Sequence, residues 1–149
     1  MVRLVNRRTG QTIATAVEIA DTRRSRRRGL LGRDAMDPSA ALILTPCCSI
    51  HTAHMRFAID AVFVNRQGRV LRIVSEMPAW RAAWCFRAHA VVELAAGALR
   101  SRELRVDDAV YLVAERGAES DSGEPTLSSA SPIYNVQEKN LQRENPFPS

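Results

Sequence analysis

Residues 58–75, AIDAVFVNRQGRVLRIVS, decide the fold of this chain. Residues 58–65 are rich in β-branched and other apolar side chains, which is typical of a buried strand. Gln67 and Gly68 interrupt the run with a turn, and residues 69–75 form a second apolar segment. The stretch therefore predicts a β-hairpin.

Further strands are predicted before and after the hairpin. Residues 11–20 alternate between β-branched and other side chains, the pattern of a half-buried strand. Short apolar runs bounded by turn residues predict strands at 41–45, 90–94 and 109–114. Strands joined by such short connections favour a mainly β domain, a compact β-sandwich or a barrel, over an α/β sheet.

Two short helices complete the predicted pattern. Thr22 is a suitable N-cap for a helix that runs through Leu30 and ends at Gly32. Gly97 precedes a second short helix at 98–102.

The composition divides the chain at Arg116. With 149 residues, of which 46% are hydrophobic, the chain has the length and composition of one globular domain. Residues 1–116 carry 19 arginines against 11 acidic residues, a net charge of +8, whereas residues 117–149 have a net charge of −3. Ser, Pro, Glu and Asn dominate the second segment without an apolar period. We predict one β-rich domain over 1–116 and a disordered acidic tail over 117–149.

We do not expect this protein to be secreted or to span a membrane. The N-terminus, MVRLVNRRTG, has no apolar run after its arginines and does not resemble a signal peptide. The longest uncharged stretch, 38–55, is broken by Pro46 and polar residues, and it lacks the ~20 apolar residues of a membrane-spanning helix. We expect a cytoplasmic protein with three free cysteines.

Four segments, taken in their order and spacing, resemble a known family. They are VEIADTRRSRRRGLLGR at 17–33, SIHTAHMRFAIDAVFVNRQGRVLRIV at 49–74, PAW at 78–80 and VVELAAGALRSRELRVDDAVYL at 91–112. Together they resemble the bacterial and archaeal family catalogued as domain of unknown function 192, over residues 16–113. The resemblance implies a small β-rich domain of sandwich or jelly-roll type. It implies no established catalytic activity, because the family has no assigned function.

The chain departs from the family pattern at several positions. Ala53 and His54 stand where many members have an aromatic residue before the methionine, and Ala58 stands where they have proline. These changes would widen a pocket in that segment. Ala95 replaces a proline and Asp107 replaces a glycine, so both of those turns are expected to be looser.

Residues 49–60, which contain the sequence Ile-His-Thr and are called the IHT segment below, and the irregular loop at 77–89 hold the candidate ligand-binding residues. Loops on a rigid β scaffold are where ligand contacts are usually found. If this loop covers the IHT segment, its tryptophans form a half-apolar pocket there. The candidate ligand-binding residues are His51, Met55, Arg56, Asp60, Trp80 and Trp84.

Structural roles compete with binding at two of these positions. Asp60 lies in a strand that is apolar on both faces, so its carboxylate needs a partner such as Arg56 or backbone N–H groups. We favour this structural role for Asp60. For Trp80 we favour packing in the core.

A zinc site is suggested by Cys47, Cys48, His51 and His54, with Cys85 and His89 further along the chain. At ~3.3 Å per residue, however, an extended chain separates Cys47 from His51 by about 13 Å, and it directs adjacent cysteines to opposite sides. Zinc bonds of ~2.0–2.3 Å do not span this distance. We predict no metal and no cofactor, and a cross-strand site that includes Cys85 and His89 stays open as the alternative.

The segment RRSRRR at 23–28 is a candidate anion site. Arg23, Arg24 and Arg27 would hold a phosphate or an acidic partner there. We favour a solvated face instead, because 20 of the 21 basic residues are arginines and charge runs alone discriminate poorly. Nearby aromatic residues that would stack on bases are absent, so nucleic acid is not the expected partner.

These observations favour a non-catalytic binding module for a small ligand, a peptide or a protein. One alternative is a small hydrolytic or thiol-dependent enzyme, which needs Cys47 or His51 in a cleft with a convergent partner. Another is an anion- or nucleic-acid-binding protein that uses the arginine segment, with an affinity that falls steeply with salt.

Overall fold

The computed structural model describes residues 2–114, 130–131 and 133. The strands in this part of the chain are β1 (Val2–Asn6), β2 (Thr12–Ala14), β3 (Ala16–Ala20), β4 (Ala40–Leu44), β5 (Ser49–His51), β6 (Ile59–Val64), β7 (Val70–Met77), β8 (Ala82–Trp84), β9 (Ala90–Ala95), β10 (Val110–Ala114) and β11 (Ala130–Ser131). An α-helix, α1 (Arg23–Arg28), follows β3, and a 3-10 turn at Ala98–Arg100 follows β9. The prediction of a mainly β domain with short helices is confirmed.

The strands form two larger sheets and one ribbon. The first sheet has the order β11-β10-β1-β2 and the second has the order β3-β4-β9-β6-β7, while β5 and β8 pair with each other. β3 and β4 are parallel, and α1 lies in the crossover connection that a parallel pair requires. The other strand pairs in the described residues are antiparallel. Both sheets are open within that part of the chain, so the barrel alternative is wrong.

The central strands of the five-stranded sheet, β4, β9 and β6, are buried on both faces. One face packs against the four-stranded sheet, and the other packs against the segment after α1 and the β5–β8 ribbon. Side chains at these two interfaces include Leu4, Ile43 and Val62 on the first face and Leu30, Leu42 and Phe63 on the second. Strands buried on both faces are expected to be nearly continuous apolar runs. A charged side chain in one of them therefore needs an explanation.

The predicted hairpin is β6–β7, and Gly68 is the residue that its turn requires. Gly68 has a φ of 79°, in the left-handed region that favours glycine. A Cβ atom at this position would lie 2.2 Å from the carbonyl oxygen of Val110. The turn therefore packs directly against the backbone at the start of β10.

The helix begins where the sequence predicts. Thr22 accepts a hydrogen bond from the backbone N–H of Ser25, and the Ser25 hydroxyl accepts one from the backbone N–H of Thr22, which completes a capping box. α1 ends at Gly29, whose φ of 45° departs from helical geometry, rather than at the predicted Gly32.

The sequence patterns miss β1, β5 and β8, and they merge β2 and β3 into one strand. Thr15 separates β2 from β3 at the point where the chain passes from the first sheet to the second. β5 and β8 have three residues each, which is too few to establish a period of two.

Most of the predicted disordered tail, 117–149, lies outside the described residues. Within it, Ala130–Ser131 pairs with β10, and Ile133 is 2% exposed in the core between the two larger sheets. No helix in the described part of the chain is long and apolar enough to cross a membrane.

Candidate functional site

A cleft of about 290 Å³ opens on the second face of the five-stranded sheet. The end of α1 and the residues that follow it form one wall, and β5 with its flanking residues forms another. The lining residues are Arg26, Arg27, Arg28, Gly29, Leu30, Leu31, Leu44, Cys47, Ser49, Ile50, His51, Met55 and Glu93. The cleft thus combines an apolar interior with arginines, one histidine and one carboxyl group.

Glu93 is the charged residue that the apolar sheet must accommodate at this cleft. It lies on β9, the central strand, where its neighbours across the sheet are Leu42 and Ala61. Glu93 is 4% exposed, and its Oε2 atom is buried without a hydrogen-bond partner in the described residues. Burial raises the pKa of the Glu93 carboxyl from 4.5 to about 7, although the nearby Arg33 guanidinium opposes that rise.

Sequence reasoning misses Glu93 even though a signal for it is present. The strand at 90–94 is predicted to be buried, and a glutamate between Val92 and Leu94 in such a strand is anomalous in the same way as Asp60. A carboxylate buried at either position needs a partner.

Cys47 and His51 lie at the same cleft. The Cys47 thiol donates a hydrogen bond to the Ser49 carbonyl oxygen at 3.1 Å, and burial raises the pKa of that thiol. His51 is exposed on β5, whereas Met55 is buried. The structure therefore brings together two of the predicted ligand-binding residues, His51 and Met55, with Glu93.

The predicted residues Arg56 and Asp60 lie away from the cleft. Arg56 is exposed and forms an ion pair with Asp34. Asp60 is buried, and its carboxylate accepts hydrogen bonds from the backbone N–H groups of Glu76 at 2.7 Å and Leu99 at 3.2 Å. These backbone groups are one of the two kinds of partner that the sequence led us to expect for Asp60.

The two tryptophans do not line the cleft either. Trp80 is 61% exposed and Trp84 is 53% exposed, so the expectation that Trp80 packs in the core is wrong. The Trp80 ring instead meets the His54 ring edge to face, with 4.5 Å between their centroids. The β5–β8 ribbon directs its buried side chains Ile50 and Ala83 toward the sheet and leaves Trp84 on the outside, while Trp80 lies in the loop before β8.

The predicted anion-site residues share a second concavity. Arg23, Arg24 and Arg27 line an open depression of about 570 Å³ together with Arg28 and Leu31. The first turn of α1 contains no acidic residue.

No group of three or more His, Cys, Asp or Glu side chains in the described residues is arranged to hold a metal ion. The segments that carry the cysteines are nevertheless adjacent. The backbone N–H of Cys85 donates to the Cys48 carbonyl at 2.8 Å, and that of Cys47 donates to the His89 carbonyl at 2.8 Å. All three cysteines are free thiols and are partly buried.

The two packed sheets form a small β-sandwich domain. The β5–β8 ribbon covers part of one face of this domain, and the cleft with Glu93 opens there. This chain belongs to the family catalogued as domain of unknown function 192, described as "Uncharacterized ACR", whose model matches residues 4–112.

Two solved structures are similar to this chain. One is a provisionally assigned transcription regulator from Sinorhizobium meliloti 1021, with a TM-score of 0.64 and 20% sequence identity, covering 73% of this chain and 89% of its own. The other is a protein of unknown function from Novosphingobium aromaticivorans DSM 12444, with a TM-score of 0.63 and 18% identity, covering 73% of this chain and 81% of its own. At these identities the likeness shows the fold alone. A comparison with curated proteins finds no match.

Proposed function

We propose that this protein is a non-catalytic binding module, and that its cleft holds a small ligand with an apolar body and a neutral hydrogen-bonding group. The observation that carries the proposal is the Glu93 carboxyl, whose Oε2 is buried at the cleft and has no hydrogen-bond partner among the residues that the structure describes. Buried polar groups in native proteins are nearly always paired, and an unpaired one costs about 1–3 kcal/mol. A ligand group that forms a hydrogen bond with Glu93 removes that cost.

The walls of the cleft support an apolar ligand body. Leu30, Leu44, Ile50 and Met55 line it and are buried in the same core cluster. The volume of about 290 Å³ is at the low end of the ~300–1,000 Å³ that is usual for ligand pockets, so the ligand is small.

The charges around Glu93 favour a neutral head group over a cation. Arg26, Arg27 and Arg28 line the same cleft, and a ligand ammonium would meet like charge there. With a pKa of about 7, the Glu93 carboxyl is present in both protonation states near neutral pH. A hydroxyl or an amide donates to the ionised carboxylate and accepts from the protonated acid, so it pairs with either state.

The segments by which the chain resembles its family also meet at this cleft. The first supplies Gly29 and Leu30, the second supplies Ile50 and Met55, and the last supplies Glu93. This convergence supports a role for the cleft in a function that the members of this family share.

The thiol at the cleft supports binding over catalysis. A catalytic cysteine needs a depressed pKa and a hydrogen-bonded base, whereas burial raises the pKa of the Cys47 thiol. The Cys47 Sγ donates to a backbone carbonyl, and no hydrogen bond joins Cys47 to His51 in the described residues.

The test is an NMR titration of the full-length protein with ligands that share one apolar body. Cyclohexylmethanol, cyclohexanecarboxamide, cyclohexylmethylamine and methylcyclohexane share a cyclohexyl ring with one attached carbon and differ in the polar group on that carbon. We expect the alcohol and the amide to shift the backbone amide signals of β5 and β9 and to bind more tightly than the amine. In Glu93→Leu the preference for a polar group should disappear.

Trp84→Ala is the matched control, because Trp84 is exposed and does not line the cleft. This variant should bind the series like the parent. If shifts appear only around Trp80 and Trp84, or if Glu93→Leu keeps the parent's order of affinities, the ligand site is not the Glu93 cleft.

Anion binding by α1 is a second candidate function, and a specific observation favours it. Arg23, Arg24, Arg27 and Arg28 lie around one depression, and no acidic side chain in the described residues pairs with any of them. Changing Arg23, Arg24 and Arg27 to Gln should remove heparin binding, and the parent's affinity should fall as salt rises. Equal heparin affinity in the parent and the triple variant contradicts this function.

A further inference from the structure

Two cysteines stand opposite each other at the end of the β5–β8 ribbon. The pairing runs Ser49 to Trp84, Ile50 to Ala83 and His51 to Ala82. The next pair in the same register is Cys48 and Cys85, one residue beyond each strand. The backbone N–H of Cys85 donates to the carbonyl oxygen of Cys48 at 2.8 Å, so the chains still run side by side at this point.

The register places the two side chains on the same face of the ribbon. Directly opposite residues in an antiparallel pair project to one side, and in a hydrogen-bonded pair their Cα atoms are ~5.5 Å apart. Disulfides span Cα distances of ~4.4–6.8 Å. The Cβ atoms of such a pair are up to ~5.5 Å apart, against ~3.5–4.5 Å in a disulfide, so closure must draw them together by about 1 Å.

The ribbon ends where this movement is needed. Cys48 and Cys85 lie outside the three paired positions of β5 and β8, and one backbone hydrogen bond holds them. Both residues are partly exposed, which gives a small thiol or disulfide access to them. A bond that strains its surroundings in this way is easily reduced, which is the property of a regulatory disulfide rather than a structural one.

We propose that Cys48 and Cys85 are a reversible modification site that forms a disulfide by exchange with a low-molecular-weight disulfide such as oxidised glutathione. One protein thiolate attacks a sulfur of glutathione disulfide, the S–S bond breaks, and one glutathione thiolate leaves. The second protein thiolate then attacks the protein sulfur of the mixed disulfide, and the second glutathione leaves. Two protein thiols are oxidised, one glutathione disulfide is reduced, and the two thiol protons pass to the released glutathione thiolates.

The third cysteine is not the partner in this bond. The register of the ribbon, and the hydrogen bond from the Cys85 N–H to the Cys48 carbonyl, place Cys48 rather than Cys47 opposite Cys85. Its thiol lines the Glu93 cleft and donates to the Ser49 carbonyl. Burial also raises the pKa of the Cys47 thiol, so less of the attacking thiolate is present.

The experiment uses the full-length folded protein in buffers of stepped reduced and oxidised glutathione. Free thiols are then trapped with iodoacetamide, and intact mass and disulfide-linked peptides are measured. We expect an intact species that has taken up one alkyl group instead of three and lacks two hydrogens, and a peptide that joins Cys48 to Cys85. Cys47→Ser is the matched control and should form the same bond at the same glutathione ratio.

Cys48→Ala and Cys85→Ala should each stop at the mixed disulfide with glutathione. The parent measurement stands by itself if one of these variants fails to fold, because the linked peptide identifies the pair. A bond that involves Cys47, loss of the bond in Cys47→Ser, or a parent that gives only glutathione adducts or no oxidation would overturn the proposal.

Discussion

Replacing Glu93 with Gln should change how the stability of this protein depends on pH. The pKa of the Glu93 carboxyl is raised from 4.5 to about 7 in the folded state because the group is buried. Between those two values the folded protein keeps a proton that the unfolded chain has lost. By linkage, stability then falls as pH rises, and the loss is complete above the folded pKa. A rise of this size corresponds to roughly 3 kcal/mol for a group that is 4% exposed.

Glu93→Gln has nearly the same shape but no charge to bury. At about pH 5 the folded parent carries a neutral acid, so the parent and variant should have similar free energies of unfolding. By about pH 8 the variant should be more stable by up to ~3 kcal/mol, because the parent must then ionise a buried carboxyl. Equilibrium urea unfolding at several pH values across this range measures the difference.

Asp34→Asn is the matched control, since the Asp34 side chain is 83% exposed. Removing an exposed carboxylate should leave the pH dependence of the parent nearly unchanged. If the stability curves of the parent and Glu93→Gln run parallel between about pH 5 and about pH 8, the carboxyl is not desolvated and the reasoning fails.

Three further predictions concern the scaffold, and urea unfolding measures each. Asp60→Ala should lower the free energy of unfolding by about 1–3 kcal/mol because two partly buried backbone N–H groups lose their acceptor, whereas an equally stable variant would show that another group accepts those bonds. Gly68→Ala should lower the free energy of unfolding by at least ~2 kcal/mol because its Cβ would clash with a carbonyl oxygen. Gly10 also has a positive φ but has open space around it, so Gly10→Ala should lower the free energy of unfolding less, and equal losses would mean that only the backbone conformation explains them. Deleting 117–149 should lower the free energy of unfolding by about 2–4 kcal/mol through the loss of Ile133 from the core, and Ile133→Ala should reproduce most of that loss. An unchanged urea midpoint after the deletion would show that this segment contributes nothing to the core.

Local patterns predicted the parts of the fold whose partners are close in sequence. The β6–β7 hairpin lies within one stretch and its turn contains Gly68, so residue type and spacing are enough to predict it. α1 is likewise predicted from Thr22 because a cap is a local interaction. The β5–β8 ribbon pairs three-residue strands that lie far apart in the chain, and neither strand has a pattern of its own.

The candidate site was predicted only in part for the same reason. His51 and Met55 were chosen from a motif, and both lie at the cleft. The opposite wall comes from the segment after α1 and the floor from β9, and only the tertiary arrangement brings these together. Trp80 and Trp84 were chosen because ligand contacts usually lie on loops over a rigid β scaffold, but both side chains are exposed and neither lines the cleft.

The two proposed sites are connected through β5. Ser49, Ile50 and His51 of this strand line the Glu93 cleft, and Cys48 immediately precedes them. A bond from Cys48 to Cys85 would draw the end of β5 toward β8 by about 1 Å and fix one wall of the cleft. Oxidation and ligand binding would then share one element, and by linkage each would change the equilibrium of the other by the same factor. Titrating cyclohexanecarboxamide into the reduced and oxidised forms of Cys47→Ser measures that factor directly, and equal affinities would show that the cleft wall does not respond to the bond.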